Sequence, residues 1–461
     1  MKISQHAYLQ YALHVEIEYE QALDEGRIIA PKLEEEYAQI KALDLWDPQR
    51  EKLAAGFLDE MEKMAIRVDY PYAEPSDLPG ILAAKPSEYN SEAVPVSREK
   101  LTDKIYGAWL ARCAGCLLGH PIEGWQRERI LGLLKETGNL PIRYYISSEI
   151  DSSIAEKYGV KNTPGSYGND SVSWINNVKH MVEDDDMNYT IIGLAIVEQY
   201  GFDFTPDDVA EAWLRYLPIL RTCTAERIAY RNLLNLMDPP RSASYRNSYR
   251  EWIGAQIRAD LFGYVNPGNP EKAAEMAWRD ASISHVKNGI YGEMWVAAML
   301  ASAAVTDDLE SIVLAGLRQI PEKCRMAEHI VRVMDWKRKG DGFDEAVARI
   351  REEYDENNVH HWCHAVSNAM IVAAALLYGE GDLEATLGMA VVPGFDTDCN
   401  GATAGSVLGM RNGASALPDK WIAPLNDKIR SGVEGFGIVP LSDLANRTVR
   451  LIEQNPYVCM K

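Results

Sequence analysis

Apolar residues recur every three to four positions along most of this chain, with acidic residues between them. Near the N-terminus that period predicts helix over "KLEEEYAQIKAL" and "REKLAAGFLDEMEKMAIRV". It returns from about residue 98 onward in "DKIYGAWLARCAGCLLG", "YTIIGLAIVEQYG", "EKAAEMAWRDASISH", "GIYGEMWVAAMLASAAV", "AMIVAAALLYG" and "LSDLANRTVRLIEQ". Alternating runs of the β type are few. The pattern predicts an all-α protein: a compact multi-helix domain over 99–461, preceded by a helical extension and strap over 1–98. The strap is marked by Pro71, Pro75, Pro79, Pro86 and Pro95. Such proline density predicts extended chain lying on a surface and no regular helix.

Small residues add a packing detail. Gly107, Ala111, Gly115 and Gly119 recur every fourth position, as do Gly401, Gly405 and Gly409. Gly costs about 1 kcal/mol against Ala inside a helix. Its repetition on one face predicts close backbone approach in a tight core.

Composition narrows the function classes. Lys and Arg number 47 against 68 Asp and Glu, a net charge of −21. A protein that neutralises phosphates needs the opposite balance, so no general nucleic-acid binder is expected. Seven cysteines are too few for a disulfide scaffold, and the number is odd. The default is a reduced, cytoplasmic setting. The N-terminal "MKISQHAYLQYALHVEIEYEQ" has no apolar core behind a basic segment, so no secretory leader is expected. No apolar run approaches 18 residues, so no membrane partner is expected either. A homo-oligomer remains compatible with the N-terminal helices.

Two acidic clusters carry the candidate chemistry. "HMVEDDDMNYTIIGLAIVEQYG" places Glu183, Asp184, Asp185 and Asp186 at the front of a helical pattern. "VVPGFDTDCNGATAGSVLGM" places Asp396 and Asp398 ahead of a small-residue helix. Acids stabilise a helix's first turn by about 0.3–1 kcal/mol each, and an exposed, solvated turn accounts for the first cluster equally well. The second adjoins a segment patterned for burial, and no Lys or Arg lies between Gly379 and Met410. Buried carboxylates need a partner. Carboxylates suit a hard divalent cation, Mg²⁺, Mn²⁺ or Ca²⁺.

Three stretches, in order, resemble the ADP-ribosylglycohydrolase family, relatives of dinitrogenase-reductase-activating glycohydrolase. "DKIYGAWLARCAGCLLGHPIEGW" is similar to the family's opening G-x-x-x-G-x-x-x-G-D-x-x-G-x-x-x-E helix. "EDDDMNYT" stands where the family carries Thr-Asp-Asp-Thr, and "GFDTDCNGATAGSVLG" is close to G-G-D-T-D-T-N-x-x-x-x-G-x-x-x-G. The likeness covers about residues 99 to 450. It implies an all-α fold, two Mg²⁺ or Mn²⁺ ions, and hydrolysis of the glycosidic bond between ADP-ribose and an acceptor. It implies metal binding by Asp396 and Asp398 with Asp184 and Asp185, or with Asp185 and Asp186 in a register one residue later. Glu123 matches the family's mobile-loop glutamate. The chain departs from the family at Cys116, where Asp is usual, at Cys399, where Thr is usual, and in the expanded acidic run.

Further candidates surround these. His285, Asn288 and Glu293, in "WRDASISHVKNGIYGEMWVAAM", are expected at the pocket, as related stretches border the site in the family. Asn169 and Asp170, in a Gly/Ser/Asn loop, are candidate substrate contacts or a plain turn. His360 and His364 have the i, i+4 spacing of a zinc pair but lack the glutamate of an H-E-x-x-H motif; His364 is placed instead at the pocket. The resulting expectation is a metal-dependent hydrolase of a small glycoside or an ADP-ribosylated substrate, with Asp185 or Glu123 assisting the attacking water. A hydrolase of a different glycoside or nucleoside, and an inactive metal-binding member of the fold, stay as alternatives.

Overall fold

A computed structural model describes residues 7–86, 94–161 and 173–460. Asn169 and Asp170 lie outside the described residues. The architecture is all-α, with a single two-stranded antiparallel ribbon pairing Lys428–Arg430 with Ile438–Pro440 among the described residues.

The centre is a pair of antiparallel helices, Arg98–Gly119 and Thr397–Asn412. A Cβ on Gly115 would sit inside the Gly401 carbonyl, and one on Gly405 would meet the carbonyl of Ala111. Gly409 meets Gly107 in the same way, and Gly119 meets the backbone of Thr397. The four-residue glycine repeat is therefore a contact between two backbones. At its end the Thr397 hydroxyl donates to the Gly119 carbonyl at 2.9 Å. Two further helices, predominantly apolar and buried on all sides, flank the pair. Every residue of Asn288–Ala303 is buried, as is Ala365–Leu377 of Ala365–Tyr378. A helix without a polar face has no surface to offer water and goes to the centre.

The N-terminal helices Val15–Asp24, Pro31–Lys41 and Pro48–Met61 share a small core of their own around Val15, Leu33, Phe57 and Met61. Buried ion pairs tie this unit to the main body. Arg250 holds Glu18 at 2.7 Å and Glu25 at 2.9 Å, and Arg325 holds Glu74 at 2.9 Å.

The strap departs from expectation. Leu78–Ala84 is a short helix, with Pro79 in its first turn and the Asp77 carboxylate accepting from the Gly80 N–H at 2.8 Å. Proline fits there because first-turn N–H groups have no partner inside the helix.

Candidate active site

Both acidic clusters sit at helix N-termini, where unpaired N–H groups and the helix dipole favour negative charge. Asp184 caps Asp185–Tyr200, its Oδ1 accepting from the Asp186 N–H at 2.9 Å. Asp396 stands at the N-cap of Thr397–Asn412, with Asp398 in the first turn. The preceding Gly394 and Phe395 both have positive φ, +82° and +61°. Phe395 pays for a conformation that glycine adopts freely, and such strain concentrates at functional turns. Asn368 holds the turn: its Oδ1 accepts from the Asp396 N–H at 3.1 Å and from Asn400 Nδ2 at 2.8 Å.

The helix starts meet at the floor of a cavity of about 690 Å³, onto which Asp184, Asp185, Asp396, Asp398 and Glu123 all open. Glu123 follows the turn His120–Ile122, beyond the close end of the central helix pair. Its side chain is open to the cavity. The Asp398 charge, then desolvation and Asp185, push its carboxyl well above the usual range. Burial, then the Asp398 charge, raises Asp184 and Asp396 in the same direction.

The first acidic cluster has basic partners that its sequence neighbourhood does not show. Arg112, wholly buried on the central helix, pairs with Asp186 at 3.1 Å and Asp260 at 2.8 Å. Arg221 lies 3.1 Å from Glu183. The outer members of the EDDD run thus face protein cations, and Asp184 and Asp185 face the cavity. Asp186 still reaches the cluster from below. Ligand atoms of Cys116, Asp184, Asp186 and Asp398 lie within 4.8 Å of one another, as do those of Asp396, Asp398 and Cys399. Three buried carboxylate oxygens there, Asp186 Oδ2, Asp396 Oδ1 and Asp398 Oδ1, have no hydrogen-bond partner. An orphaned carboxylate oxygen is costly in a protein interior, and a divalent cation satisfies several at once. The donor set fits such an ion. The thiols are the exception: burial raises Cys116 and Cys399, keeping them protonated, and Cys363 Sγ already donates to Asp396 Oδ2 at 3.2 Å.

Four expected pocket residues lie away from the cavity lining. His285 bonds Ser284 Oγ at 2.8 Å and sits 4.0 Å from Glu226, one layer behind the wall. Glu293 is 3.5 Å from Arg258. Asn288 donates to Glu74 at 2.8 Å and Glu251 at 2.7 Å, and is part of the joint with the N-terminal unit. His364 caps its helix and turns toward Asp24 at 3.8 Å. The first three lie on or beside the fully buried helix, whose polar groups must find partners inside the protein. His360 and His364 belong to different local elements, not to one helix face.

In their place the wall includes residues that carry no motif. Glu226 is buried, pairs with Arg258 at 2.8 Å, and opens on the cavity. Burial lifts its carboxyl to about 7 against the pull of Arg258. Arg227, Trp362 and Tyr8 also line the cavity, Tyr8 from the N-terminal unit. Nothing in their spacing marks them; only the fold brings them together.

A solved structure described as "ADP-ribosylglycohydrolase-related protein complex" is similar at 19% identity, covering 77% of this chain and 99% of that one, with a TM-score of 0.47. No curated protein matches. The family model described as ADP-ribosylglycohydrolase matches residues 97–456, from the start of the central glycine helix to just beyond the last helix. With both aspartate motifs inside that span, the chain belongs to the ADP-ribosylglycohydrolase family.

Proposed function

We propose that the protein is a divalent-cation-dependent glycohydrolase that cleaves the bond between the anomeric carbon of an ADP-ribosyl or related ribosyl group and its acceptor. The observation that carries this is the convergence of Asp184, Asp185, Asp396 and Asp398 on one cavity floor, with buried carboxylate oxygens unsatisfied. Those four residues would hold Mg²⁺ or Mn²⁺. When bound, such an ion orients a sugar diol and acidifies a water molecule.

The chain's own groups supply the rest. The cavity is large enough to enclose most of a nucleotide-sized ligand. Glu123 stands at its edge, where it takes a proton from the attacking water as oxygen bonds to the anomeric carbon. The acceptor leaves with the bonding electron pair and takes up the proton that Glu123 received. Asn368, by holding the Asp396 turn, keeps the carboxylates in register. Arg112 balances Asp186 below the floor, so the four upper carboxylates remain for ligand.

The test is calorimetric titration of metal-stripped protein with Mg²⁺ and Mn²⁺, and then with ADP-ribose. Expected are metal binding and metal-dependent ADP-ribose binding, both lost in Asp398→Ala while the fold is retained. Metal binding without ADP-ribose binding moves the substrate to another glycoside or nucleoside, a reading the thiols of Cys116 and Cys399 favour, because soft thiols at the floor differ from the family's oxygen donors. Absence of metal binding rejects the proposal.

A further inference from the structure

Residues 7–86 lie outside the span matched by the family, yet one of them reaches the cavity. Tyr8 is half-buried on its rim. Its carbonyl bonds the ring of His14 Nε2 at 2.8 Å. Its ring meets Tyr249 edge-on, centroids 5.9 Å apart, and the guanidinium carbon of Arg227 lies 5.8 Å from its centroid. Arg227 and Tyr249 both belong to the main body, so the phenol of this N-terminal residue is held by the main body. Buried His14 is itself held edge-on to Tyr249 at 5.0 Å.

A second contact connects the same unit to the metal floor. Asp24 Oδ2 lies 3.1 Å from His360 Nε2 and 3.8 Å from His364 Nε2. Carboxylate and two imidazoles resemble a zinc site, but the hydrogen bonds on the far ring nitrogens exclude it. Trp252 Nε1 donates to His360 Nδ1 at 3.1 Å, and the Val366 N–H donates to His364 Nδ1 at 3.2 Å. Both donors lack acceptor capacity, so each Nδ1 is the bare nitrogen and each neutral ring carries its proton on Nε2, facing Asp24. His360 Nε2 therefore donates to the Asp24 carboxylate, and His364 Nε2 faces the same carboxylate without a hydrogen bond. Between the two histidines in sequence stand Trp362 and Cys363, which line the cavity, and Cys363 bonds Asp396. Asp24 thus fixes the segment that carries one wall, and Tyr8 supplies the wall beside it.

We propose that the N-terminal unit is an integral part of the substrate site, and that Tyr8 is a specificity-determining residue whose ring contacts the substrate from the cavity wall. This rests on the reading of the cavity as the substrate site. A rigid aromatic face loses little conformational freedom on binding and offers stacking or edge contact to a flat or sugar ring.

The experiment compares the full-length protein with Tyr8→Ala and Tyr8→Trp, each titrated with Mg²⁺ and then with ADP-ribose at saturating Mg²⁺. Removal of the ring is expected to weaken ADP-ribose binding about tenfold and to leave Mg²⁺ binding unchanged. The Trp variant, which keeps an aromatic edge against Tyr249, is expected to shift ADP-ribose affinity with an unaltered melting temperature, so it decides the matter if Tyr8→Ala loosens the N-terminal unit. Wild-type affinity for ADP-ribose in both variants overturns the proposal. If the wild-type protein binds Mg²⁺ but not ADP-ribose, the substrate reading fails separately. Tyr8 is then judged by the rate of N-ethylmaleimide labelling of Cys223, a half-buried cavity residue. Labelling, followed by peptide mass, accelerates in Tyr8→Ala if the ring walls the cavity, and an unchanged rate counts against it.

Discussion

Arg112 shows at the scale of one residue how a buried acidic floor is tolerated. Its guanidinium pairs with Asp186 and Asp260 and also donates to the Ile257 carbonyl at 2.7 Å and Thr190 Oγ1 at 2.9 Å. Removing one member of a buried ion network leaves the others charged and dry, which costs about 3–5 kcal/mol. Arg112→Met is therefore expected to lower unfolding free energy by that order, read from denaturant midpoints; a loss below about 1 kcal/mol contradicts a charge-balancing role. Cys116 offers the opposite experiment. Its Sγ stands among Asp184, Asp186 and Asp398, where a further carboxylate would add a ligand and a repulsion together. Cys116→Asp should tighten Mg²⁺ binding and lower the melting temperature of the metal-free protein. Unchanged Mg²⁺ affinity would show that this position does not face the ion.

At the scale of elements, the geometry of the aspartate floor depends on how closely two helices approach. Gly115 and Gly401 touch backbone to backbone, three residues along the second helix from Asp398. Neither backbone can yield as a side chain would. Gly115→Ala must push the helices apart and is expected to cost at least about 1–3 kcal/mol, the range for overpacked cores. It should also weaken Mg²⁺ binding, because Thr397, packed on Gly119 at the end of the same seam, stands between Asp396 and Asp398. Gly56 is the control: no atom lies within 4 Å of where its Cβ would stand. Gly56→Ala, at an exposed position inside a helix, should raise stability by up to about 1 kcal/mol and leave Mg²⁺ binding intact, and a matching loss in both variants would remove the packing argument.

Across the whole molecule, the floor couples proton binding to stability. In the metal-free protein burial lifts Asp186 to about 8 despite Arg112, and Asp184 and Asp396 are raised with it. A carboxyl raised above its unfolded value holds its proton more tightly in the folded state. Stability is then full below the unfolded value and is lost as pH rises through the folded one. The melting temperature of metal-stripped protein is expected to fall between about pH 5 and pH 8, and saturating Mg²⁺ to reduce that fall. A flat profile with and without Mg²⁺ would mean that the carboxylates are satisfied by the protein alone. Among the described residues, no helix is long and apolar enough to cross a membrane.

By itself the sequence determined the class of fold, the close backbone approach of its glycine-repeat helices and the position of the two Asp motifs at helix starts. These are local properties: helical period, a four-residue glycine repeat, and acids placed at the start of apolar helices. It also marked Cys116 and Cys399 as departures from the family pattern. Tertiary structure alone decided the rest. Whether Asp184 or Asp186 faces the cavity depends on where Arg112, seventy residues away in the chain, points its guanidinium. His285, Asn288, Glu293 and His364 have the polarity of pocket residues, but buried helices use such groups to satisfy one another, and no sequence period separates the two uses. The short helix at Leu78–Ala84 formed because Pro79 fell in its first turn, where its missing N–H is harmless. Tyr8 and Glu226 lie in segments with no chemical signature. Each reaches the cavity because distant helices pack there, and packing between remote segments is the information a linear pattern lacks.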